Sequence, residues 1–287
     1  MNFIDEITHS MQESIDYLSG RICYTITPVT THQIITVTCW NDDASTRTAI
    51  AKYLVGLIAC AIDAALNIRA NLENTASDLD EIIRSVEKIV NSPDENHRRT
   101  ERNPWIAEGL WHLCMAVAKE KAEIHPVGQI IAAKLVNISA KDHGLDVAVI
   151  YTIDSASFGL SFVECKAYKN DPNGAITKSV DFFKEIDQGD HDWRIRQSVQ
   201  MLRSFLPATT QSAISNSFWK ANRTYIPNPH YDESCSIDWS NSRPSFSDLG
   251  PDSSNIIIMP HAIKEFDQFF EHISDDMKAF ATSLRHV

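Results

Sequence analysis

Apolar and polar residues tend to alternate in two short runs near the start of the chain. These runs, RICYTITPV and HQIITVTCW within residues 20–40, predict the two strands of a hairpin. A helix is expected from about residue 45 to 69, because the cap signal DDAST precedes a long apolar segment. A second helix is expected over about 77–90, where Leu79, Ile82 and Val86 recur at helical spacing.

The segment NSPDENHRRTERNP is polar and predicts a linker that contains a domain boundary. We therefore expect an N-terminal accessory region at residues 1–97, with partner docking as its role, and a second domain at residues 98–287. After the linker, Ile106, Leu110 and Leu113 return to helical spacing. Pro126 suits the first turn of a further helix running to about residue 136.

The C-terminal half alternates strand and helix patterns. A hairpin is expected within residues 143–172, helices over 174–187 and 192–206, mostly loop over 207–252, a buried strand over 255–260 and a helix over 261–284. This order predicts the α/β (α+β) class, with a mixed sheet flanked by helices.

Composition is that of an ordinary globular protein, with 43% hydrophobic and 22% charged residues in a chain of 287. We expect no membrane span, because Lys52 and Asp63 interrupt the most apolar window. The acidic, amphipathic N-terminus does not resemble a signal peptide. Six scattered cysteines without a CxxC pair indicate neither a zinc site nor a disulfide framework, which favours a cytoplasmic location.

The formal net charge of −12 restricts how the protein could bind nucleic acid. Phosphate contacts come from Lys and Arg, so a chain with this charge would repel DNA unless a local basic patch or another subunit delivers it. The densest basic patch is HRRTER, in which Arg98 and Arg99 are candidate contacts to nucleic acid.

The hairpin within residues 143–172 carries charged residues in strands that otherwise have the pattern of a core. If the chain turns at Ser155 and Ala156, facing residues have numbers that sum to about 311, and Asp146 lies across from the segment containing Glu164 and Lys166. Glu164 and Lys166 share one face of their strand, because side chains alternate. A slip of one residue would turn Asp146 to the other face.

Two carboxylates brought together repel each other, and a hard divalent cation is the natural partner for such oxygen ligands. We expect Asp146 and Glu164 to bind Mg²⁺ or Mn²⁺. The cation would polarise a phosphoryl oxygen and lower the pKa of a coordinated water, while Lys166 would stabilise charge in the transition state. This reading predicts phosphodiester hydrolysis. The plain alternative is an edge hairpin in which Asp146 and Lys166 form a surface salt bridge.

With these residues, the chain resembles the PD-(D/E)XK nucleases, in which a helix precedes a hairpin carrying Asp and then Glu-x-Lys. More narrowly, HGLDVAVIY, LSFVECKAYKND and GAITKSVDFFKEI resemble the nuclease subunit of Hachiman anti-phage defence systems. The resemblance covers about residues 126–186. It implies a restriction-endonuclease-like core and metal-dependent DNA cleavage by an effector that a helicase partner restrains. It assigns the catalytic pattern to Asp146, Glu164 and Lys166.

One position departs from the family pattern. Where the preceding helix usually carries a glutamate after glycine, this chain has Gln129. Either that glutamate is dispensable or Glu108 supplies its role from an adjacent helix. Two further functions stay open: a non-catalytic interaction subunit that retains the fold, and a stand-alone restriction or repair nuclease.

Other polar residues near the motif are weaker candidates. Tyr168 shares the face of Glu164 and is a candidate accessory residue, while Lys169 and Lys178 are candidate contacts to nucleic acid. We expect structural roles for the histidines near the proposed core, which are His112, His125 and His143.

Overall fold

The computed structural model describes residues 3–38, 43–70, 79–91, 94–120, 128–137, 145–155 and 157–287. Within these ranges the helices follow a chain order that begins with an N-terminal layer and ends with a long C-terminal helix. They are α1 (Phe3–Ser19), α2 (Ala44–Ala70), α3 (Leu79–Val90), α4 (Glu95–His97), α5 (Asn103–Glu120), α6 (Pro172–Gln188), α7 (Asp192–Ser204), α8 (Ala208–Ala213) and α9 (Phe266–Ser283).

The described strands form two mixed sheets, which confirms the expected class of sheets flanked by helices. The smaller sheet has the order β1-β2-β7 and the larger has the order β3-β4-β5-β6-β8. In the larger sheet β4 is antiparallel to both neighbours, whereas β5, β6 and β8 are parallel. The strands are β1 (Cys23–Pro28), β2 (Gln33–Thr38), β3 (Gln129–Ala133), β4 (Val147–Thr152), β5 (Phe158–Ala167), β6 (Arg223–Asp232), β7 (Ile257–Ile258) and β8 (His261–Ile263).

Helices cover both faces of the larger sheet. On one face, Val163 and Cys165 of β5 join a core with residues of α5 such as Leu110. On the other face, Leu160 and Phe162 of β5 join a core with residues of α6 and α7. Because β4 and β5 are buried on both faces, their sequences are nearly continuous apolar runs, and each large side chain contributes about 1.5–3 kcal/mol. Polar residues in these strands are therefore exceptions.

The N-terminal elements behave as the patterns predicted. The hairpin β1–β2 and the helices α2 and α3 are confirmed within the described residues. Asp43 accepts a hydrogen bond from the backbone N–H of Thr46 (2.8 Å) at the start of α2. These elements pack into the same core as α5 and α9, and β2 pairs with β7 from the C-terminal part. The division into 1–97 and 98–287 stays a prediction.

The expected polar linker is wrong for residues 94–102, which form helical turns that continue into α5. Asp94 begins them by accepting a hydrogen bond from the backbone N–H of His97 (2.8 Å). Arg102 is buried and its guanidinium contacts Glu271 at 2.8 Å. The segment looks like a linker by composition because its polar residues cap a helix and form ion pairs.

The expected helix over 126–136 is also wrong for the residues that the structure describes, since β3 lies there; Pro126 is outside the described ranges. Gly128, with φ of 123°, lies against the carbonyl oxygen of Thr152, and a Cβ at Gly128 would be 2.5 Å from that atom. A register shift between Ile130 and Ala132 interrupts the alternation of side chains. This bulge makes the segment look like a continuous apolar run.

The segment expected to be mostly loop contains β6, which lies between β5 and β8 in the sheet. The sequence did not predict this strand because it contains Pro227 and Pro229, and proline cannot donate a ladder hydrogen bond. The bonds to β5 come from alternate residues, such as Asn222 and His230, whose carbonyls accept from Leu160 and Tyr168. Both prolines therefore direct their nitrogens away from β5, towards the side where the neighbouring strand is interrupted between β7 and β8.

The C-terminal strand and helix differ from the prediction at their boundary. The predicted strand contributes the short β7, and the first three residues of the predicted helix form β8. The helix α9 begins at Phe266, after Glu265 adopts a left-handed conformation with φ of 50°.

The segment Ala44–Ile62 of α2 is long and apolar enough to cross a membrane, but 72% of it is buried inside the protein. Such burial is typical of the core helix of a soluble protein.

Candidate functional site

The register of the hairpin brings Asp146 directly across from Glu164. Val147 pairs with Val163, so the numbers of facing residues sum to one less than the sequence predicted. The difference arises because the hairpin is centred on Ser155 and not between Ser155 and Ala156; accordingly, Ile153 N–H donates to the carbonyl of Ser157 at 2.8 Å. Because facing residues now share a parity, Asp146 extends to the same face as Glu164 and Lys166.

The three side chains converge. The ammonium of Lys166 donates a hydrogen bond to the carboxylate of Glu164, and its Nζ lies 4.0 Å from Oδ2 of Asp146. The same Oδ2 accepts the backbone N–H of Cys165 at 3.0 Å. The side chains of Glu164, Asp146 and Lys166 are 8%, 17% and 24% exposed, so the group is mostly withdrawn from water. It is not the surface salt bridge of the plain alternative.

Burial raises the pKa of both carboxyl groups. The pKa of Glu164 rises to about 8, first because burial disfavours its charge and then because Asp146 is close by, while Lys166 opposes the rise. Burial also raises the pKa of Asp146, against the opposing charge of Lys166 and the Cys165 hydrogen bond. Burial disfavours the charge of Lys166, but the two carboxylates outweigh it and raise the pKa of the ammonium.

Glu108 on α5 interacts electrostatically with this group. Burial raises its pKa well above the ordinary value, and the charges of Asp146 and Glu164 raise it further. Lys134 and Lys166 act in the opposite direction. The helix that precedes the hairpin therefore does bring a glutamate near the site, but that glutamate is Glu108.

Gln129 does not complete the site. It is the first residue of β3 and pairs with Thr152 at the far end of β4, whereas Asp146 precedes the first residue of β4. The whole length of β4 separates the two positions. The sequence predicted a helix at Gln129, but this residue lies in a strand.

Lys134 is a polar residue that sequence reasoning missed. It directly follows β3, and its buried ammonium donates to the carbonyl of Leu145 (3.1 Å) and to Oδ1 of Asn137 (3.1 Å). Its charge lowers the pKa of Glu108 and of Asp146, so it helps to hold both groups ionised. A single lysine after an apolar run gave no signal, because its position depends on how β3 pairs with β4.

His112 lies one helical turn beyond Glu108 and is buried, as expected for a structural residue. Its Nδ1 is 2.9 Å from the hydroxyl of Tyr53, and burial together with the charge of Lys134 lowers its pKa to about 4. His125 and His143 lie outside the described residues. Cys165 is buried on the opposite face from Glu164 and packs in the core there.

The candidate accessory and nucleic-acid residues lie on three segments: after β5, on α6 and in the turns before α5. Tyr168 follows that strand and is 38% exposed, and Lys178 is exposed on α6. Lys169 pairs with Asp267 (2.5 Å), and Arg98 pairs with Glu271 (2.9 Å). Arg99 is exposed in the turn before α5. Because Arg98 and the buried Arg102 share one glutamate, the predicted basic patch is partly neutralised.

The chemistry of the donor groups suits a hard divalent cation. Asp146 and Glu164 offer carboxylate oxygens whose mutual repulsion a cation would relieve. Across the described residues, no three His, Cys, Asp or Glu side chains lie close enough to form a metal site by themselves. Mg²⁺ is commonly held by only one or two carboxylates together with waters and substrate phosphates, so two carboxylates are a sufficient set.

Comparison with known proteins adds no family assignment. No protein-family model matches the chain. No curated protein matches it at a significant level.

Proposed function

We propose that this protein is a metal-dependent deoxyribonuclease of the PD-(D/E)XK type that hydrolyses phosphodiester bonds. The observation that carries the proposal is the convergence of Asp146, Glu164 and Lys166 across one hairpin, two of them acidic and one basic. The order of the larger sheet, with α5 on one face and α6 on the other, supports it, because this hairpin lies at the centre of that sheet.

Asp146 and Glu164 would hold Mg²⁺ or Mn²⁺, and Glu108 would add negative charge nearby. The bound cation would supply polarisation of a phosphoryl oxygen and a more acidic water. Lys166 is the group that would meet the charge developing on the phosphate in the transition state. Lys134 would favour the ionised forms of Asp146 and Glu108 against the effect of burial, and it holds the carbonyl of Leu145 immediately before Asp146.

We further propose that the protein is a cytoplasmic effector of an anti-phage defence complex, in which a helicase partner restrains cleavage and delivers DNA. The net charge of −12 supports this part, because a strongly acidic chain profits from a partner that brings the substrate. Affinity purification from the native host tests it: a helicase should co-purify with the tagged chain. A chain that purifies alone while it digests DNA would instead be a stand-alone nuclease.

Digestion of supercoiled plasmid by the purified full chain, with Mg²⁺ or Mn²⁺ added, tests the enzymatic proposal. Glu164→Gln keeps the shape of the side chain and should abolish digestion, because the amide cannot replace a carboxylate ligand. Glu13→Gln on α1, an exposed glutamate, is the matched control and should digest like the wild type. Equal digestion by Glu164→Gln and the wild type would overturn the proposal.

A non-catalytic interaction subunit is the second candidate. The ion pair that Lys166 already forms with Glu164 favours it, because a lysine can neutralise this carboxylate without a metal. Divalent-ion titration of the thermal midpoint separates the two functions. A saturable rise that disappears in Asp146→Asn supports the nuclease, whereas no rise in the wild type and no digestion with either ion support the second candidate.

A further inference from the structure

One long segment of this acidic protein contains no acidic residue. The chain has 38 Asp and Glu in 287 residues, so about five would be expected between Trp193 and Tyr231, but none occurs there. The segment begins in α7 and ends in β6. Its basic residues are Arg194, Arg196, Arg203, Lys220 and Arg223.

Acidic residues from outside the segment neutralise only part of this charge. Arg196 and Lys220 share Asp192, at 3.8 Å and 2.6 Å, and Arg223 pairs with Asp187 at 2.6 Å. Arg203 donates to two neutral groups, Oδ1 of Asn216 (2.6 Å) and the carbonyl of Gln211 (2.7 Å). The region therefore retains a positive charge, in contrast to the chain as a whole.

The same region exposes large apolar side chains. Trp193 is 59% exposed, Met201 40% and Phe205 70%. These positions follow one another at intervals of eight and four residues, so they lie along one side of α7 and its C-terminal extension. Twelve residues of helix separate Trp193 from Phe205 by about 18 Å, a span of roughly five nucleotides at the base spacing of a duplex strand.

The surface lies on the same side of the larger sheet as the candidate site. Ile195 and Val199 on the inner side of α7 belong to the core that includes Leu160 and Phe162 of β5. Glu164 and Lys166 continue the face of these two β5 residues, because side chains alternate along a strand. Helix α7 also contacts β3, the edge strand beside β4.

We propose that Trp193, Met201 and Phe205, together with the arginines of α7 and Lys220, form a binding surface for single-stranded DNA. This inference rests on the proposed function, for which it specifies the form of the substrate. Exposed aromatic rings stack on unpaired bases, and cationic side chains follow the phosphates. The positive charge that Asp187 and Asp192 leave unneutralised favours a polyanion as the occupant, because phosphates are bound by Lys and Arg.

Fluorescence anisotropy with a labelled thymidine 20-mer tests the proposal on the full chain, in EDTA so that no cleavage occurs. We expect Trp193→Ala and Phe205→Ala each to weaken binding about tenfold. Arg196→Gln should weaken binding and lower the slope of log affinity against log salt by about one. The matched controls, Ile26→Ala (57% exposed) and Arg285→Gln (54% exposed, paired with Asp80), should bind like the wild type.

Several outcomes overturn the proposal. The affinity for the 20-mer could be unchanged in Trp193→Ala and Phe205→Ala, or it could fall equally in the two controls. The wild type could bind a duplex or a uridine RNA 20-mer more tightly than the thymidine 20-mer. Trp193→Ala and Phe205→Ala could also lose a co-purifying protein while their affinity for DNA stays unchanged. The last would identify a protein interface. Because these positions are exposed, thermal midpoints should match the wild type and exclude misfolding as the cause.

The binding and digestion experiments fail independently. If the wild type binds the 20-mer through this surface but cleaves no DNA with Mg²⁺ or Mn²⁺, the proposed function fails and the surface stands. If the wild type cleaves DNA but does not bind the 20-mer, the surface fails and the nuclease proposal stands.

Discussion

Two buried polar clusters lie at neighbouring positions of the larger sheet but on opposite faces. The carboxylate cluster consists of Asp146, Glu164 and Lys166, and it interacts electrostatically with Lys134 and with Glu108 of α5, a helix that packs on the other face. The histidine cluster consists of Asn228, His230 and His261. In the register of β5 and β6, Asn228 pairs with Cys165 and His230 with Ala167, so these two residues share the face opposite Lys166.

The histidine cluster is satisfied by its own hydrogen bonds. The amide of Asn228 donates to the carbonyl of Met259, its Oδ1 contacts Nε2 of His230, and Nδ1 of His230 lies 3.0 Å from Nδ1 of His261. Burial lowers the pKa of both histidines, to about 4 for His261. The cluster is therefore neutral at neutral pH, and the fold carries no free-energy cost for a buried charge there.

The carboxylate cluster has the opposite character. Three acidic groups have raised pKa values, first because they are buried and, for Glu108 and Glu164, also because other carboxylates are close, and the two lysines oppose this only in part. The comparison teaches that burial alone does not indicate function. A cluster of acidic groups whose pKa values stay raised despite their basic partners is the stronger indicator of a functional site.

The largest expected difference between the clusters is in catalysis. We expect Asp146→Asn and Lys166→Met to lower plasmid digestion at least about 100-fold, because each removes a group that would hold the cation or meet transition-state charge. His261→Gln should digest within about threefold of the wild type, since its cluster lies on the other face. Similar loss in all three variants, measured as initial rates, would remove the distinction between the clusters.

The second effect is on stability at alkaline pH in metal-free protein. The pKa of Glu164 is about 8 in the folded state and about 4.3 in the unfolded state. The stabilisation from its bound proton is fully present below the lower value and is lost as pH rises through the higher one. We expect the thermal midpoint in EDTA to fall by roughly 5 °C from about pH 5 to about pH 8.5.

Glu164→Gln should flatten this alkaline fall, since the amide does not titrate. Glu13→Gln should retain it. Differential scanning fluorimetry across the pH range provides the measurement, and an unchanged alkaline slope in Glu164→Gln would contradict the assignment of the shift to Glu164.

The third effect has the opposite sign and is smaller. The pKa of His261 is about 4 in the folded state and about 6.5 in the unfolded state. Stability that is present above the higher value is lost as pH falls through the lower one. His261→Gln should make the acid limb of the stability curve less steep. It removes only part of that slope, because burial also lowers the pKa of His230 and His112.

His286→Gln near the C-terminus is the matched control for the acid limb, because this residue is exposed. The same thermal measurements apply. An acid limb that is equally steep in His261→Gln and the wild type would show that the histidine cluster is not its source.

The fourth effect concerns Lys134. Since its charge lowers the pKa of Asp146 and Glu108, Lys134→Met should move the pH dependence of Mg²⁺-induced thermal stabilisation to higher pH. Lys134→Arg retains the charge and should restore the wild-type profile. A profile that moves equally in both variants would assign Lys134 to the support of the Leu145 carbonyl alone.

The smallest effect is expected at Gln129, which lies at the far end of β4 from the carboxylate cluster. Gln129→Ala should change digestion by less than about twofold, as is usual for an exposed position away from the chemistry. A loss comparable to that of Asp146→Asn would mean that the residue reaches the site, contrary to the register of β3 and β4.

Local patterns by themselves determined most helices and both hairpins. Leu79, Ile82 and Val86 predicted α3 by their spacing, and the turn near Ser155 predicted that Asp146 would lie across from the segment of Glu164 and Lys166, although the register that turns Asp146 to their face differs by one residue from the predicted one. These predictions succeeded because helical spacing and a short hairpin bring together residues that are close in sequence. The face of a strand follows from alternation alone.

Only the tertiary structure decided where distant segments lie. The sequence did not predict β3, which contains a bulge, or β6, which contains two prolines. The positions of Gln129, Lys134 and the histidine cluster depend on these strands and were therefore not predicted either. The coupling of Glu108 to the hairpin likewise depends on how α5 packs on the sheet. The physical reason is that strand pairing and helix packing join residues far apart in the chain, and their burial, which sets each pKa, exists only once those contacts form.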